Sequence, residues 1–188
     1  MKIYELSPKV TKGSPIIDLL SPLNDNLPPN EVNWKVVAEL APPHLWTPGQ
    51  VYCDDKRIEQ CDLIGGTGHV IISKRMLDWM NQLSDNAFIG LPEKVNDFDT
   101  YNYICNKCID ALDKGRSDIV YFSTGRILNV HKYAFLPHKI PACSIFQLHG
   151  LRGALFATEA ARQFLLKSGI NNAQFDLVAD NVVPAEGE

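Results

Sequence analysis

Apolar residues recur along this chain with two different periods, and the switches between them mark its elements. From 74 to 83 the positions Met76, Leu77, Met80 and Leu83 follow helical spacing, and Ser73 just before them is a good helix N-cap. The pattern predicts one short amphipathic helix over 74–83, ended by the 86–90 segment. A second helix is predicted after Thr158, with Ala160, Ala161, Phe164 and Leu165 facing inward and Gly169 as its stop. Strand patterns fall at 34–40, 51–53, 69–72, 101–106, 144–148 and 175–178, while 108–112 suits either a helical turn or a strand extension. The clearest local signal is a hairpin. Ile119-Val120-Tyr121-Phe122 and Ile127-Leu128-Asn129-Val130 flank the turn Ser123-Thr124-Gly125-Arg126, where Gly125 is free to take a positive φ. This hairpin is expected at the centre of the sheet.

Between the periodic segments the chain is punctuated unevenly. Eight of its twelve prolines lie within the first 48 residues, so that third is expected to be irregular and turn-rich. The 180–188 tail has little to bury and is expected to fray. A chain of 188 residues with 45% apolar and 21% charged positions suits one compact domain. The fold class expected over 1–188 is α+β, a mostly antiparallel sheet with a few packed helices.

Charge narrows the function classes. The formal net charge is −4, which disfavours a general binder of nucleic acid or of membrane surfaces. Residues 1–113 hold 10 basic and 16 acidic side chains, and residues 114–167 hold 8 and 2, so different faces carry different charge. The opening Met1-Lys2-Ile3-Tyr4-Glu5-Leu6 lacks the apolar core of a secretory signal, and the expectation is a cytoplasmic protein. Five cysteines, an odd number, do not suit a disulfide framework and are expected to be reduced.

Candidate chemistry is sparse. Cys105-Asn106-Lys107-Cys108 is a C-x-x-C pair, but it lacks the helix N-terminus that activates a redox thiol and the second pair that completes a zinc site. Gly65-Gly66-Thr67-Gly68-His69 feeds a strand rather than a helix and has no Lys-Ser/Thr, so it is expected to be a flexible turn and not a phosphate loop. The histidines at 44, 69, 131, 138 and 149 show no zinc-protease spacing, and there is no G-x-S-x-G elbow. No catalytic, cofactor-binding or metal-ligating residue is assigned on these patterns. A Cys-His nucleophile pair, which meets in space rather than in sequence, stays open.

The order of segments carries a resemblance. Ile72-Ser73-Lys74-Arg75-Met76-Leu77, Tyr103-Ile104-Cys105-Asn106, Ile109-Asp110-Ala111-Leu112-Asp113, Gly125-Arg126-Ile127, Ile145-Phe146-Gln147-Leu148 and Leu155-Phe156-Ala157-Thr158-Glu159 together resemble immunity protein family eleven of bacterial polymorphic toxin systems. The resemblance covers about 70–178. It implies a cytoplasmic antitoxin that neutralises a cognate toxin, encoded in an adjacent gene, by direct stoichiometric binding, with no cofactor. It transfers no site residue. The alternatives are a small hydrolase or transferase with a Cys/His site and a thiol- or zinc-binding module. Under the antitoxin reading the partner-facing surface is expected to be acidic, because residues 78–113 hold seven acids against two bases. Asp85, Glu93, Asp97 and Asp99 are its candidates, lying in a Gly-, Pro- and Asn-containing stretch expected to be loop.

Overall fold

The computed structural model describes residues 1–9, 16–17, 42–48, 50–51, 53, 55–66, 70–151 and 153–180. The expected strand at 34–40 and the tail beyond 180 lie outside them. The described strands are β1 (Ile3–Pro8), β2 (Ile16–Ile17), β3 (Gln50–Val51), β4 (Leu63–Gly66), β5 (Val70–Ser73), β6 (Phe88–Val95), β7 (Phe98–Cys105), β8 (Asp118–Tyr121), β9 (Ile127–Lys132), β10 (Ile145–Phe146), β11 (Leu155–Thr158) and β12 (Ala173–Ala179). The helices are α1 (Lys74–Leu83) and α2 (Glu159–Lys167). Both start where the sequence places a cap: the Met76 amide donates to Ser73 Oγ at 3.0 Å, and the Ala161 amide to Thr158 Oγ1 at 3.4 Å.

Among the described residues three sheets form, and the fold is α+β. A six-stranded sheet runs β2-β4-β5-β7-β6-β3, antiparallel except where β2 joins β4 and β3 joins β6. A four-stranded antiparallel sheet runs β10-β11-β1-β12. The β8–β9 hairpin forms as expected, with Gly125 at φ 78°, but it is a sheet of its own and not the centre of a larger one. Gly65 and Gly66 are strand residues of β4 rather than a turn. The undecided 108–112 segment is neither helix nor strand; Ile109 bridges Leu148 and Leu112 bridges Phe135.

Strand alternation decides what each face of the four-stranded sheet buries. Leu6, Ile145, Leu155 and Ala157 point to one side, where they meet Leu63, Ile72, Met76, Met80, Ala161 and Leu165 in a core shared by both large sheets and both helices. Ile3, Phe146 and Phe156 point to the other side and join Phe135, Val130 and Leu112. Phe156 anchors that second core, stacked on Phe146 at 5.6 Å and edge-on to Tyr133 at 5.3 Å. On α2, Ala161 and Leu165 are buried and Phe164 is half-buried; Ala160, expected inward, is exposed. Helix α1 lies close to β6, so that a Cβ at Gly90 would press on the Leu77 side chain of the helix and on Tyr101 of the neighbouring strand, which would have to shift.

The two large sheets are also joined by a charge. The side chain of Asp62, a residue only 1% exposed, accepts from Ser73 Oγ at 2.7 Å, Arg75 Nε at 3.0 Å, Arg75 Nη2 at 2.6 Å and the Asn171 amide at 2.8 Å. Asn171 lies just before β12, and Asn172 Nδ2 adds a bond to the Leu63 carbonyl at 2.8 Å. A cavity of about 750 Å³ opens beside this knot, lined by Glu59, Lys74 and Ile170 among others.

Two stability effects follow. Asp62→Ala removes the acceptor of four hydrogen bonds, two of them from the half-exposed Arg75 that water can reach, and is expected to lower unfolding free energy by about 2–3 kcal/mol, read by denaturant unfolding. A loss below about 1 kcal/mol would show that the sheets do not depend on the knot. Across β1 and β12, Glu5 stands opposite Asp176, and burial, then that neighbouring charge, push the Glu5 carboxyl above its usual range. The folded state therefore holds this proton more tightly than the unfolded chain does, so the ionised pair costs stability above the carboxylate range, and the cost fades as pH falls. Asp176→Asn is expected to stabilise by a few tenths to about 1 kcal/mol at neutral pH, with the gain shrinking in mild acid; a gain that grows in acid would reverse the assignment.

Candidate functional site

The four acidic candidates occupy four different settings rather than one loop. Asp85 sits in the turn after α1 at φ 52°, Glu93 is on β6, Asp97 is in the β6–β7 turn, and Asp99 is on β7. Along β6 the side chains of Leu91, Glu93 and Val95 alternate inward, and Glu93 is only 7% exposed. It corrects the sequence expectation: Glu93 is a buried carboxylate, with Asn102 Nδ2 donating to it at 3.5 Å, because the register of β6 turns it into the sheet. Asp85, Asp97 and Asp99 are exposed. Lys107 reaches Asp85 at 3.3 Å and Lys94 reaches Asp99 at 3.7 Å, surface pairs of the kind that contribute little.

A different surface stands out at the β8–β9 hairpin. Its inner side, carrying Ile119, Ile127 and Val130, packs onto the second core. A two-stranded sheet has only one side to bury this way, and Val120 alternates onto the opposite side from Ile119. Val120, Tyr121, Phe122 and Leu128 are 36%, 47%, 49% and 51% exposed, four of the nine large apolar side chains left open among the described residues. The turn is closed by the Phe122 amide donating to the Arg126 carbonyl at 2.8 Å and the Gly125 amide to the Phe122 carbonyl at 2.9 Å. That geometry needs the left-handed Gly125, and it places Phe122 at the tip.

Beneath the tip lies a cleft of about 320 Å³, lined by Lys114, Tyr121, Arg126, Gln147 and His149, with Cys108 at its wall. Sequence reasoning named this hairpin as structure and missed it as a surface. The available signal was an apolar residue on both sides of each arm beside Lys114, Arg116, Arg126 and Lys132, with Asp118 the one acid in 114–132.

A sequence-family profile described as an immunity protein family, Imm11, matches residues 2–180. The match takes in the proline-rich first third as well as the 70–178 stretch on which the resemblance rested. No curated protein is significantly similar to the chain.

The thiols complete the inventory of reactive groups. Cys61 and Cys105 are buried, Cys53 and Cys108 half-buried, Cys143 exposed, and all five are free. Burial pushes the Cys61 thiol above its ordinary value, and the neighbouring Asp55 and Asp62 add to the effect, while its Sγ donates to the Arg57 carbonyl at 3.4 Å. Cys108 Sγ donates to the Cys105 carbonyl at 3.5 Å. Among the described residues, no three His, Cys, Asp or Glu side chains converge as a metal site would require. Alkylation of the folded protein near neutral pH is expected to modify Cys143 first and to leave Cys61 and Cys105 protected until unfolding. Early labelling of Cys61, read by peptide mass mapping, would contradict that order.

Proposed function

This chain belongs to the Imm11 immunity protein family, and we propose that it neutralises a cognate bacterial toxin by direct, stoichiometric binding. In this reading the protein covers the toxin's working surface and performs no chemistry of its own. The observation that carries it is the family match, which runs through nearly the whole chain and so takes in both sheets and the hairpin. The cognate toxin is proposed to come from a neighbouring gene and to be met in the cytoplasm. No helix among the described residues is long and apolar enough to cross a membrane. Asp85, Asp97 and Asp99 enter the reading as one candidate contact face, since exposed acids would steer a basic toxin surface toward the protein.

Stoichiometry separates occlusion from catalysis. Titrating purified chain into a fixed amount of the neighbouring gene's toxin is expected to reduce toxin activity linearly and to end at a one-to-one ratio. Full protection at a small fraction of one equivalent would mean that the chain turns over and would overturn the occlusion reading. Absence of any complex would remove the toxin-binding function itself.

A further inference from the structure

The geometry points to the β8–β9 hairpin and the cleft beneath its tip as the surface that seats the toxin, closing over an acidic patch of it. This inference rests on the toxin-binding reading and names the surface and the partner chemistry within it. Three independent features converge there. The first is the density of open apolar side chains: Val120, Tyr121, Phe122 and Leu128 are each a third to a half exposed within nine residues of chain, Tyr121 on the cleft side with its strand partner Ile127 and Val120 on the opposite side. Monomeric surfaces leave large apolar side chains open singly, and four of them along one short hairpin are what a partner can cover.

The second feature is charge left unspent. Elsewhere Lys74, Arg75, Lys94 and Lys107 each sit on a carboxylate. Lys114, Arg116, Arg126 and Lys132 are exposed and take part in none of the ion pairs formed among the described residues. The third is the cleft. Its lining holds Lys114, Arg126, His149 and the Tyr121 phenol and no carboxylate, so it offers cationic and hydroxyl donors around a space that admits a side chain. A carboxylate entering it would be met by the Arg126 fork and the Lys114 ammonium while its aliphatic stem lay against Tyr121.

An acidic protein surface with apolar flanks satisfies all three features at once. Tyr and Arg at the middle of a desolvated patch are the residue types that dominate binding energy. A nucleic acid would also meet aromatic and basic groups, but the net charge of −4 opposes a long phosphate backbone. The acidic turn residues are the rival surface. Two of the three already hold lysines, as solvated surface acids commonly do.

The test is equilibrium binding of the purified chain to the neighbouring gene's toxin, with each variant first checked for a wild-type thermal unfolding midpoint. Tyr121→Ala/Phe122→Ala is expected to weaken binding at least about thirtyfold. Lys114→Glu/Arg126→Glu is expected to weaken it at least as much, with a smaller deficit as salt is raised. Asp85→Asn/Asp97→Asn/Asp99→Asn is expected to change it less than about threefold. If the hairpin variants unfold, Leu128→Ser and Arg126→Ala singly carry the same comparison. Wild-type affinity in folded hairpin variants overturns the surface assignment alone, whereas a wild-type chain that binds no toxin overturns the toxin-binding reading and the surface with it. A short single-stranded oligonucleotide is the second probe. Its binding at about 0.15 M salt, lost in the hairpin variants while toxin binding persists, would also overturn the assignment.

Discussion

A carboxylate almost out of reach of water holds the two large sheets in register. Asp62 lies between the short 3-10 turn at Lys56–Gln60 and β4, and its two oxygens collect donors from the start of α1 and from the loop before β12. A buried charge costs several kcal/mol unless its lone pairs are satisfied, so this carboxylate is tolerable only when β5, α1 and the α2–β12 loop are all in place. The same Ser73 hydroxyl that donates to Asp62 accepts the Met76 amide, which couples the start of α1 to the knot. Asn172, at φ 56°, turns the chain into β12 and ties its own side chain to the Leu63 carbonyl. The shared apolar core then closes between the sheets, with Leu6 and Leu155 meeting Ile72 and Met76.

That arrangement leaves the hairpin as an outwork. The four-stranded sheet is sandwiched by apolar clusters on both faces, so β11 is buried along its whole length. The hairpin shields the second of these clusters with one side and meets solvent with the other. Rigid support beneath an exposed aromatic edge is what a binding surface needs, because the partner then orders few side chains on contact. The Phe156, Phe146 and Tyr133 rings give that support, and Gly125 sets the turn.

Local chemistry made much of this legible. The two helices begin at Ser73 and Thr158 because a hydroxyl cap followed by apolar residues at helical spacing is a short-range signal, complete within one turn of chain. The hairpin was legible for the same reason, its arms and its glycine turn being neighbours in sequence. The acidic set was only partly so. Glu93 looks like a surface residue beside Pro92 and Lys94, yet the pairing of β6 with β7 puts it on the same side as Leu91 and Val95. Ala160 was misplaced by one residue of helix phase, which carried it from the core to the surface.

By itself the sequence determined the class of the fold, the caps and extents of both helices, the existence and turn of the hairpin, and the resemblance that the family match then extended to residues 2–180. These depend on spacing and residue type over a few neighbours. Only the tertiary structure decided that the hairpin stands apart from the large sheets, that Asp62 is a knot and that Glu93 is buried. An arm that is apolar on both sides reads alike whether its outer side meets another strand or solvent, since the pattern records which residues dislike water and not what covers them. Asp62 and Asn171 are separated by 109 positions along the chain, and no local pattern brings such a pair together. The packing of one sheet against the other does.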